Sequence, residues 1–587
     1  MQSIPQHAAP SRAPFDIPLW SKWLRGHPLH DYIIHGLRYG FSIGHIKGFT
    51  LTQAPFNVQW DEATDLAIVT WFQKAVEKGY MIGPFLRNSL PTILNNLHCS
   101  PFFVLPKPGR PGQWRPLHHC SFPRWGVNLN STIHPQYRSV RYINLREIIT
   151  WIQSIGPHPY LWIADATDAY FKVPVQPADW HILGIQWREY YLAFTVLPQG
   201  CTSSSLIYTR FGDAILYIVA TANKEIFIEQ DIVKLRHYLD DFFGGANKKS
   251  EAQLQYRAML DWFKKLGIPT TEPKCTSPRR IIKILGWIHH TDTKMITLAE
   301  KQQIKCHDRA LELYTTQHTT AKKVEKCVGS LMHATEAFWA GKAFVRRIQR
   351  HLFFQQKHGN RTLPGNTRIT LSEWDKRDLK WWLDKLPTMH NGVSYNTILM
   401  KPNATDIRCY SDASSLIGLG AWTSNNRCYQ TRWTQTFLQE VNKIRGVLDI
   451  QVLELLGPIV AAKLWGHHWR EKSITFYIDN GGAFHAVKDK CAALHRLDLD
   501  CLVRELCSLS IDFDFKFWIV QIHGDHNQRA DALSRYKPLN KSGSFTFETP
   551  EDTNFAVNNC FTQLMREPLN GRTPPNHRVE DTRKYVF

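Results

Sequence analysis

Along "DEATDLAIVTWFQKAVEKGY", residues 61–80, apolar residues return at helical spacing until Gly79 closes the run. A loop-rich stretch precedes it, so residues 1–95 are expected to form a partly helical N-terminal extension. From about 96 to 300, short β-rich runs alternate with helical stretches, the pattern of an α+β layer fold. Residues 301–400 read as mainly helical, with turn-rich breaks at "LPGNTRIT" and "LPTMHNG". A second α/β pattern covers 401–540: strand, turn, strand, then helices alternating with strands. After Tyr536 the chain turns polar and the periodicity fades, so 541–587 is expected to be a flexible tail.

At 587 residues the chain is too long for a single core, and the pattern implies an α+β multidomain protein. A hydrophobic fraction of 43% with 12% aromatic residues argues for folded domains over disorder. The formal charge of +20 points to a polyanionic partner, most often nucleic acid. Residues 301–400 hold 17 Lys and Arg against 8 Asp and Glu, whereas the stretch after Tyr536 is nearly neutral, so the basic character belongs to folded parts. In "GKAFVRRIQRHLF", Lys342, Arg346 and Arg350 recur every four residues with Arg347 beside them. That spacing marks one helical face, either turned to nucleic acid or solvated.

Twelve cysteines include no CxxC pair and no zinc-finger spacing, and "HHC" at 118–120 and "HH" at 289–290 lack partners at ligand spacing. Buried, reduced thiols fit an intracellular protein of the cytoplasm or nucleus. The first twenty residues lack a signal-peptide pattern, and no apolar run approaches the ~18 residues of a membrane span, so no membrane partner is expected.

Candidate chemistry begins in "HYLDDFFGGA", where Asp240 and Asp241 stand side by side between strand-forming residues. Gly244 and Gly245 are expected to break the strand. Two like charges in a half-buried hairpin repel each other and resist desolvation. Taken alone, such a pair is ordinarily a solvated turn; the other reading is a divalent cation, which needs further carboxylates. Asp165 supplies one at the end of the buried-strand run Leu161-Trp162-Ile163 in "LWIADATDAYFKVPV". A carboxylate at a strand end and a pair at a hairpin are what a two-metal site for phosphoryl transfer requires, its ions about 3.5–4 Å apart.

"ADATDAYFKVPV", "VLPQGCTSSS", "HYLDD", "LGIPTTEPKC" and "KILGWIHH" stand in the order used by reverse transcriptases, and the chain resembles that family. The resemblance implies a right-hand polymerase of fingers, palm and thumb, with fingers and palm over 96–300 and a basic helical thumb and connection over 301–400. It implies Asp165, Asp240 and Asp241 as catalytic metal ligands. Tyr170 looks like the steric gate against a 2′-hydroxyl. Asp168, Gln199 and Gly200 resemble residues along the incoming nucleotide, and Lys274 the lysine near its pyrophosphate. Leu285, Gly286 and Trp287 resemble the hairpin that grips the primer. "SPFFVLPKPGRPGQWRPLHHCSF" looks like the fingers, with Lys107 and Arg115 facing the triphosphate; "HHCSF" departs from the Asp many members carry there. "HPLHDYIIHGLRYGFSIG", "KGYMIGPF", "HHCSFPRWGVNLN" and "PADWHILGIQWREYYLAFTVLPQG" are similar to DIRS-like retroelements, which integrate with a tyrosine recombinase.

A second set of acids lies downstream. Asp412 sits in "IRCYSDASSLIGLGAW", a strand, turn and strand; Glu454 lies in the helix-like "VLELLGPIVAAKLWG". Pro458 is best tolerated in a first turn, so that helix is expected to begin close to Glu454. Asp479 ends the strand of "ITFYIDNGGAF", and Asp531 opens a helix in "QIHGDHNQRADALSR", one turn after Asn527. Each is ordinary alone. Together Asp412, Glu454, Asp479 and Asp531 resemble the four-carboxylate site of ribonuclease H, with His523 either assisting product release or structural.

The expected function is an RNA-directed DNA polymerase with a fused α/β ribonuclease H-like domain. Its implied cofactor is Mg2+, two per active site, with Mn2+ as an alternative. Its implied partners are an RNA template, a DNA primer, the RNA–DNA hybrid and deoxynucleoside triphosphates; the oligomeric state is left open. The alternative is an inactive nucleic-acid-binding derivative, against which the seven candidate carboxylates argue, since binding alone needs none of them. An RNA-dependent RNA polymerase is disfavoured by Tyr170 and by the second acid set.

Overall fold

The computed structural model describes residues 15–48, 61–106, 112–123, 126–229, 232–356, 359–401, 405–439, 449–492, 496–538 and 545–566. The chain divides into two compact units, the first ending at Ile282 and the second beginning at Lys283. This places the division earlier than the expected boundary at 300, and 301–400 shares a unit with the α/β region that follows it.

The first unit is built on a four-stranded antiparallel sheet in the order Thr276–Arg279, Tyr160–Asp165, Asp241–Ala246, Leu235–Tyr238. Leu161 and Trp162 are fully buried, as an uninterrupted apolar run predicts. Gly244 and Gly245 do not break the strand but pair with Trp162 and Leu161. A Cβ on Gly244 would lie 2.4 Å from the Trp162 ring, and one on Gly245 2.5 Å from the Leu161 side chain. Glycine is there because large neighbours occupy the space, one of its two uses in strands.

The N-terminal helices belong to the same core. Ile17–Trp23 and His30–Tyr39 bury Trp20, Ile33, Ile34 and Leu37. Trp20 stacks on Phe211 at 5.2 Å, and its indole N–H donates to the Leu266 carbonyl at 3.3 Å. The expected extension over 1–95 is therefore an integral part of the first unit across its described residues. The helix Glu62–Glu77 forms as its spacing predicts, capped by Asp61, whose carboxylate accepts from the Thr64 amide.

In the second unit the helices Glu300–Thr315, Ala321–Ala334, Ala343–Arg350 and Glu373–Lys385 precede a six-stranded mixed sheet. Its order is Lys516–Gln521, Ser473–Ile478, Ile407–Ala413, Gly418–Thr423, Arg427–Arg432, Thr546–Phe547. Ile407–Ala413 runs antiparallel to Gly418–Thr423 and parallel to Ser473–Ile478, so the sheet is mixed at its centre. The fold is thus α+β and multidomain, a unit built on an antiparallel sheet followed by one that ends in an α/β domain with a mixed six-stranded sheet.

Two expectations about this unit need correction. The helix carrying Glu454 begins a turn earlier, spanning Ile450–Trp465 with Asp449 as its cap and Pro458 inside it. Pro458 has no N–H for the Glu454 carbonyl, but the helix is buried along Val452–Ala462, and tertiary packing outweighs that loss. The stretch 541–587 is also not simply a tail. Thr546–Phe547 pairs with Arg427–Cys428, and the helix Pro550–Arg566 buries Ala556, Val557 and Cys560. So narrow an apolar stripe among polar residues escapes a composition reading.

Among the described residues no helix is long and apolar enough to cross a membrane. Nine of the twelve cysteines are buried.

Candidate active sites

In the first unit, Asp165 and Asp241 face each other directly across the strand pair Tyr160–Asp165 and Asp241–Ala246. Asp240 occupies the tight turn between Tyr238 and Asp241, next to Leu239, whose φ is +51°. The turn is tied down by its own backbone, since the Asp240 carbonyl accepts from the Ala166 amide at 2.9 Å. The three carboxylates expected together from the sequence are therefore brought to one edge of the sheet. Asp165 is buried, the other two half-buried. Burial, then the charge of Asp165, raises the proton affinity of Asp240, while Lys274 and Arg115 oppose the rise. Lys274 Nζ lies 3.2 and 3.0 Å from the two oxygens of Asp165. Lys274 thus joins the site at the acid itself, as a counter-charge for Asp165.

Arg115 is exposed on the strand Trp114–His118, and its charge reaches Asp240. Lys107 lies outside the described residues. Tyr170 is half-buried, edge-on to Tyr208 at 5.4 Å, with its hydroxyl 3.1 Å from Ser205 Oγ. Gln199 and Gly200 lead into the helix Thr202–Ala222 and are held by backbone contacts. The Gln199 carbonyl accepts from the His118 amide at 3.1 Å, and the Gly200 carbonyl from Asn130 at 2.9 Å. Gly200 has φ +122°, and a Cβ there would lie 2.0 Å from the His118 carbonyl oxygen, so no other residue fits this turn without rearrangement.

Asp168 departs from its expected role. Its carboxylate is engaged by Lys78 Nζ and the Tyr80 hydroxyl, each at 2.9 Å. Its backbone is left-handed at φ +56°. Its side chain anchors the loop that carries Tyr170, and sequence spacing gives no sign of Lys78 or Tyr80, which lie 90 and 88 residues upstream.

Leu285 and Gly286 form a tight turn with φ of +49° and +84°, as a hairpin requires. Trp287 is fully buried, its ring 5.3 Å from His333 and 6.4 Å from Phe338. Its side chain is core of the second unit and not a gripping surface; only the turn is half-exposed.

The second acid set converges more tightly. Asp412, Glu454 and Asp479 each present an oxygen within 4.8 Å of the others, the sole such group of three potential ligands among the described residues. Asp412 comes from the strand Ile407–Ala413, Asp479 follows Ser473–Ile478, and the parallel pairing of these strands sets the two side by side. Glu454 reaches them from its helix, with Oε1 accepting from the Ala413 amide at 3.3 Å and the buried Oε2 without a protein partner. The Ser534 hydroxyl donates to Asp412 at 2.5 Å. Burial, with the neighbouring acids, pushes Glu454 up to about 9, and burial first of all takes Asp412 up to about 6. Asp479 is raised for the same reason, with Asp531 adding to it. An orphaned buried carboxylate oxygen among hard oxygen donors fits a divalent cation.

Asp531 does not join the three; it opens the helix Gln528–Ser534 and is paired with Arg535. His523 is exposed, with its Nδ1 3.1 Å from Asp525 in the loop beside Asp479. Ser534 and Arg535 were missed from the sequence, although "DALSR" places Arg535 four residues after Asp531, one helical turn away.

The raised carboxyls make stability depend on pH with a definite sign. Both Asp412 and Glu454 bind a proton more tightly folded than unfolded, so their contribution is fully present below the unfolded value of about 4. It is lost as pH climbs through about 6 and then about 9. In a chelator, the Tm is expected to fall between pH 5 and 9, and Glu454→Gln to flatten the upper half of that decline. Parallel Tm–pH curves for the two proteins would show that Glu454 does not hold its proton.

The helix Ala343–Arg350 also needs correction. Arg346 donates to the Asp489 carbonyl, Arg350 to the Ala492 carbonyl at 3.5 Å, and Arg347 to Asp500. These arginines face their own protein because the loop after Gly481–Asp489 presents carbonyls to them. Lys342 alone of the four is exposed. Arg347, Asp378, Arg504 and Asp500 form a buried ionic network that joins the helices Ala343–Arg350, Glu373–Lys385 and Leu497–Asp512.

Residues 105–289, which hold Asp165, Asp240 and Asp241, match the family model described as reverse transcriptase (RNA-dependent DNA polymerase). The chain therefore carries a reverse transcriptase domain. No curated protein matches the chain in sequence. Among solved structures it is similar to a foamy viral protease-reverse transcriptase dRH in complex with ds DNA, at 13% identity and TM-score 0.44, over 89% of this chain and 84% of that one. It is also similar to a foamy viral protease-reverse transcriptase in complex with RNA/DNA hybrid, at 13% identity and TM-score 0.42, over 91% of this chain and 65% of that one. A third, the foamy viral protein in complex with dsDNA, gives 13% identity and TM-score 0.43, over 86% and 97% of the two chains.

Proposed function

We propose that this chain is an RNA-directed DNA polymerase with a fused ribonuclease H, from a retroelement of the DIRS-like group. It copies an RNA template from a DNA primer using deoxynucleoside triphosphates, and removes the RNA of the resulting hybrid. The observation that carries the reading is the pairing of Asp165 with Asp241, Asp240 in the adjoining turn, inside the segment that matches the reverse transcriptase family.

Asp165, Asp240 and Asp241 hold the cations of the polymerase site; Asp412, Glu454 and Asp479 hold those of the nuclease site. When bound, Mg2+, two per site, supplies Lewis-acid stabilisation of the charge that develops on phosphoryl oxygens. Arg115 adds positive charge at the polymerase acids, where a triphosphate brings negative charge. Gln199 and Gly200 present a fixed backbone edge beside the helix that carries Ser205. Tyr170, braced by Tyr208 and Ser205, sets a rigid ring against the sugar.

The test is Mg2+-dependent extension of a DNA primer on an RNA template, with the fate of the RNA read in the same tube. A folded protein that extends nothing with either Mg2+ or Mn2+ would overturn the reading in favour of an inactive binding derivative. Within it, Tyr170→Ala is expected to lower discrimination against ribonucleotides by roughly tenfold or more, because a pocket that loses its ring no longer clashes with the 2′-hydroxyl. The comparison is kcat/KM for a ribonucleotide against its deoxy partner; an unchanged ratio assigns the gate to another residue.

A further inference from the structure

Asp531 is held by two cations from the end of its own helix. Arg535 Nε donates to Oδ1 at 2.5 Å, and Lys537 Nζ lies 3.8 Å from Oδ2, so both carboxylate oxygens face positive charge. The helix itself is firmly seated on the sheet. Asn527 donates to the Ser411 carbonyl at 2.9 Å, Ser534 donates to Asp412, and Gly420 lets the helix approach so closely that a Cβ there would lie 2.4 Å from Leu533. A misplaced helix therefore does not explain why Asp531 stays out of the group of three. Its charge is nonetheless felt by both Asp412 and Asp479.

We propose that Arg535, aided by Lys537, is a latch that holds Asp531 outside the Asp412–Glu454–Asp479 cluster until a divalent cation draws it in. Arg535 is thus a positioning residue that sets how tightly the cluster takes its cation; this rests on the reading of the cluster as a metal site. The strength of the pair suits the role. Arg535 is 44% exposed and Asp531 35%, and solvent-screened pairs of this kind are weak enough for a divalent ion to displace. A fully buried pair, such as Arg504 with Asp378, would resist displacement.

The experiment is Mn2+ binding to the intact chain by calorimetry, without nucleic acid, with the heat lost in Glu454→Gln assigned to this cluster. Arg535→Ala and Arg535→Gln are both expected to bind Mn2+ there roughly tenfold more tightly, the Coulombic gain from one freed carboxylate. Arg535→Lys, which keeps the charge, should stay near wild type. The gain should vanish when Asp531→Asn is added. Folded Arg535→Ala or Arg535→Gln proteins that bind Mn2+ no better, or less well, would overturn the latch and make Arg535 a holder of Asp531 in its ligand position or a plain helix cap. If wild type shows no Mn2+ heat that Glu454→Gln removes, the metal-site reading fails and the latch with it.

Discussion

Asp240→Asn is expected to abolish DNA synthesis, by roughly three orders of magnitude or more, without unfolding the protein. An amide is a far poorer ligand for a hard divalent cation than a carboxylate, and loss of one shared ligand disturbs the placement of both ions. The fold should survive because the turn is fixed by main-chain atoms: the Asp240 carbonyl on the Ala166 amide, and the Tyr238–Asp241 register. Neutralisation even relieves strain, since burial and the charge of Asp165 disfavour an ionised Asp240. In chelator near neutral pH, the Tm of the Asn protein is therefore expected to equal or exceed that of wild type. Extension rate and Tm measured side by side make the check. Extension within tenfold of wild type would remove Asp240 from the metal site; a large fall in Tm would mark it as structural.

Seven acids on strand ends, turns and helices stand out in the sequence because motif order fixes both their residue type and their context. Six of the seven are brought into two sets by the fold; Asp531 is the exception. What could not be read is which partner meets a given face. Helical spacing put Arg346 and Arg350 on one side of a helix, but that side meets carbonyls of residues 489–492, not solvent or phosphate. Motif order assigned Asp168 to the nucleotide, yet Lys78 and Tyr80 bind its carboxylate. The motif Leu285-Gly286-Trp287 resembles a primer-gripping hairpin, yet Trp287 fills the core. Local rules failed where long-range packing outweighs them: Gly244 and Gly245 lie within a strand under Trp162 and Leu161, and Pro458 lies within a buried helix.

Asp479→Asn is expected to stop cleavage of the RNA strand, again by roughly three orders of magnitude, while primer extension continues. The separation follows from where the acids reside. Asp165, Asp240 and Asp241 belong to the unit that ends at Ile282, and Asp412, Glu454 and Asp479 to the unit that begins at Lys283, so no carboxylate serves both sites. Asp479 follows its strand without an interior packing role, and replacing it reduces the repulsion that raises Glu454 and Asp412. The variant should thus fold at least as well as wild type in chelator. Asp531→Asn should lose less activity than Asp479→Asn, because Asp531 lies outside the group of three and is engaged by Arg535. The measurement is one RNA–DNA hybrid labelled on both strands, so that extension and RNA cleavage are read from the same reaction. Loss of both activities in Asp479→Asn would show that Asp479 supports the fold of the whole chain and not one site. Normal RNA cleavage would take Asp479 out of the site, and a larger loss in Asp531→Asn than in Asp479→Asn would make Asp531 the stronger ligand.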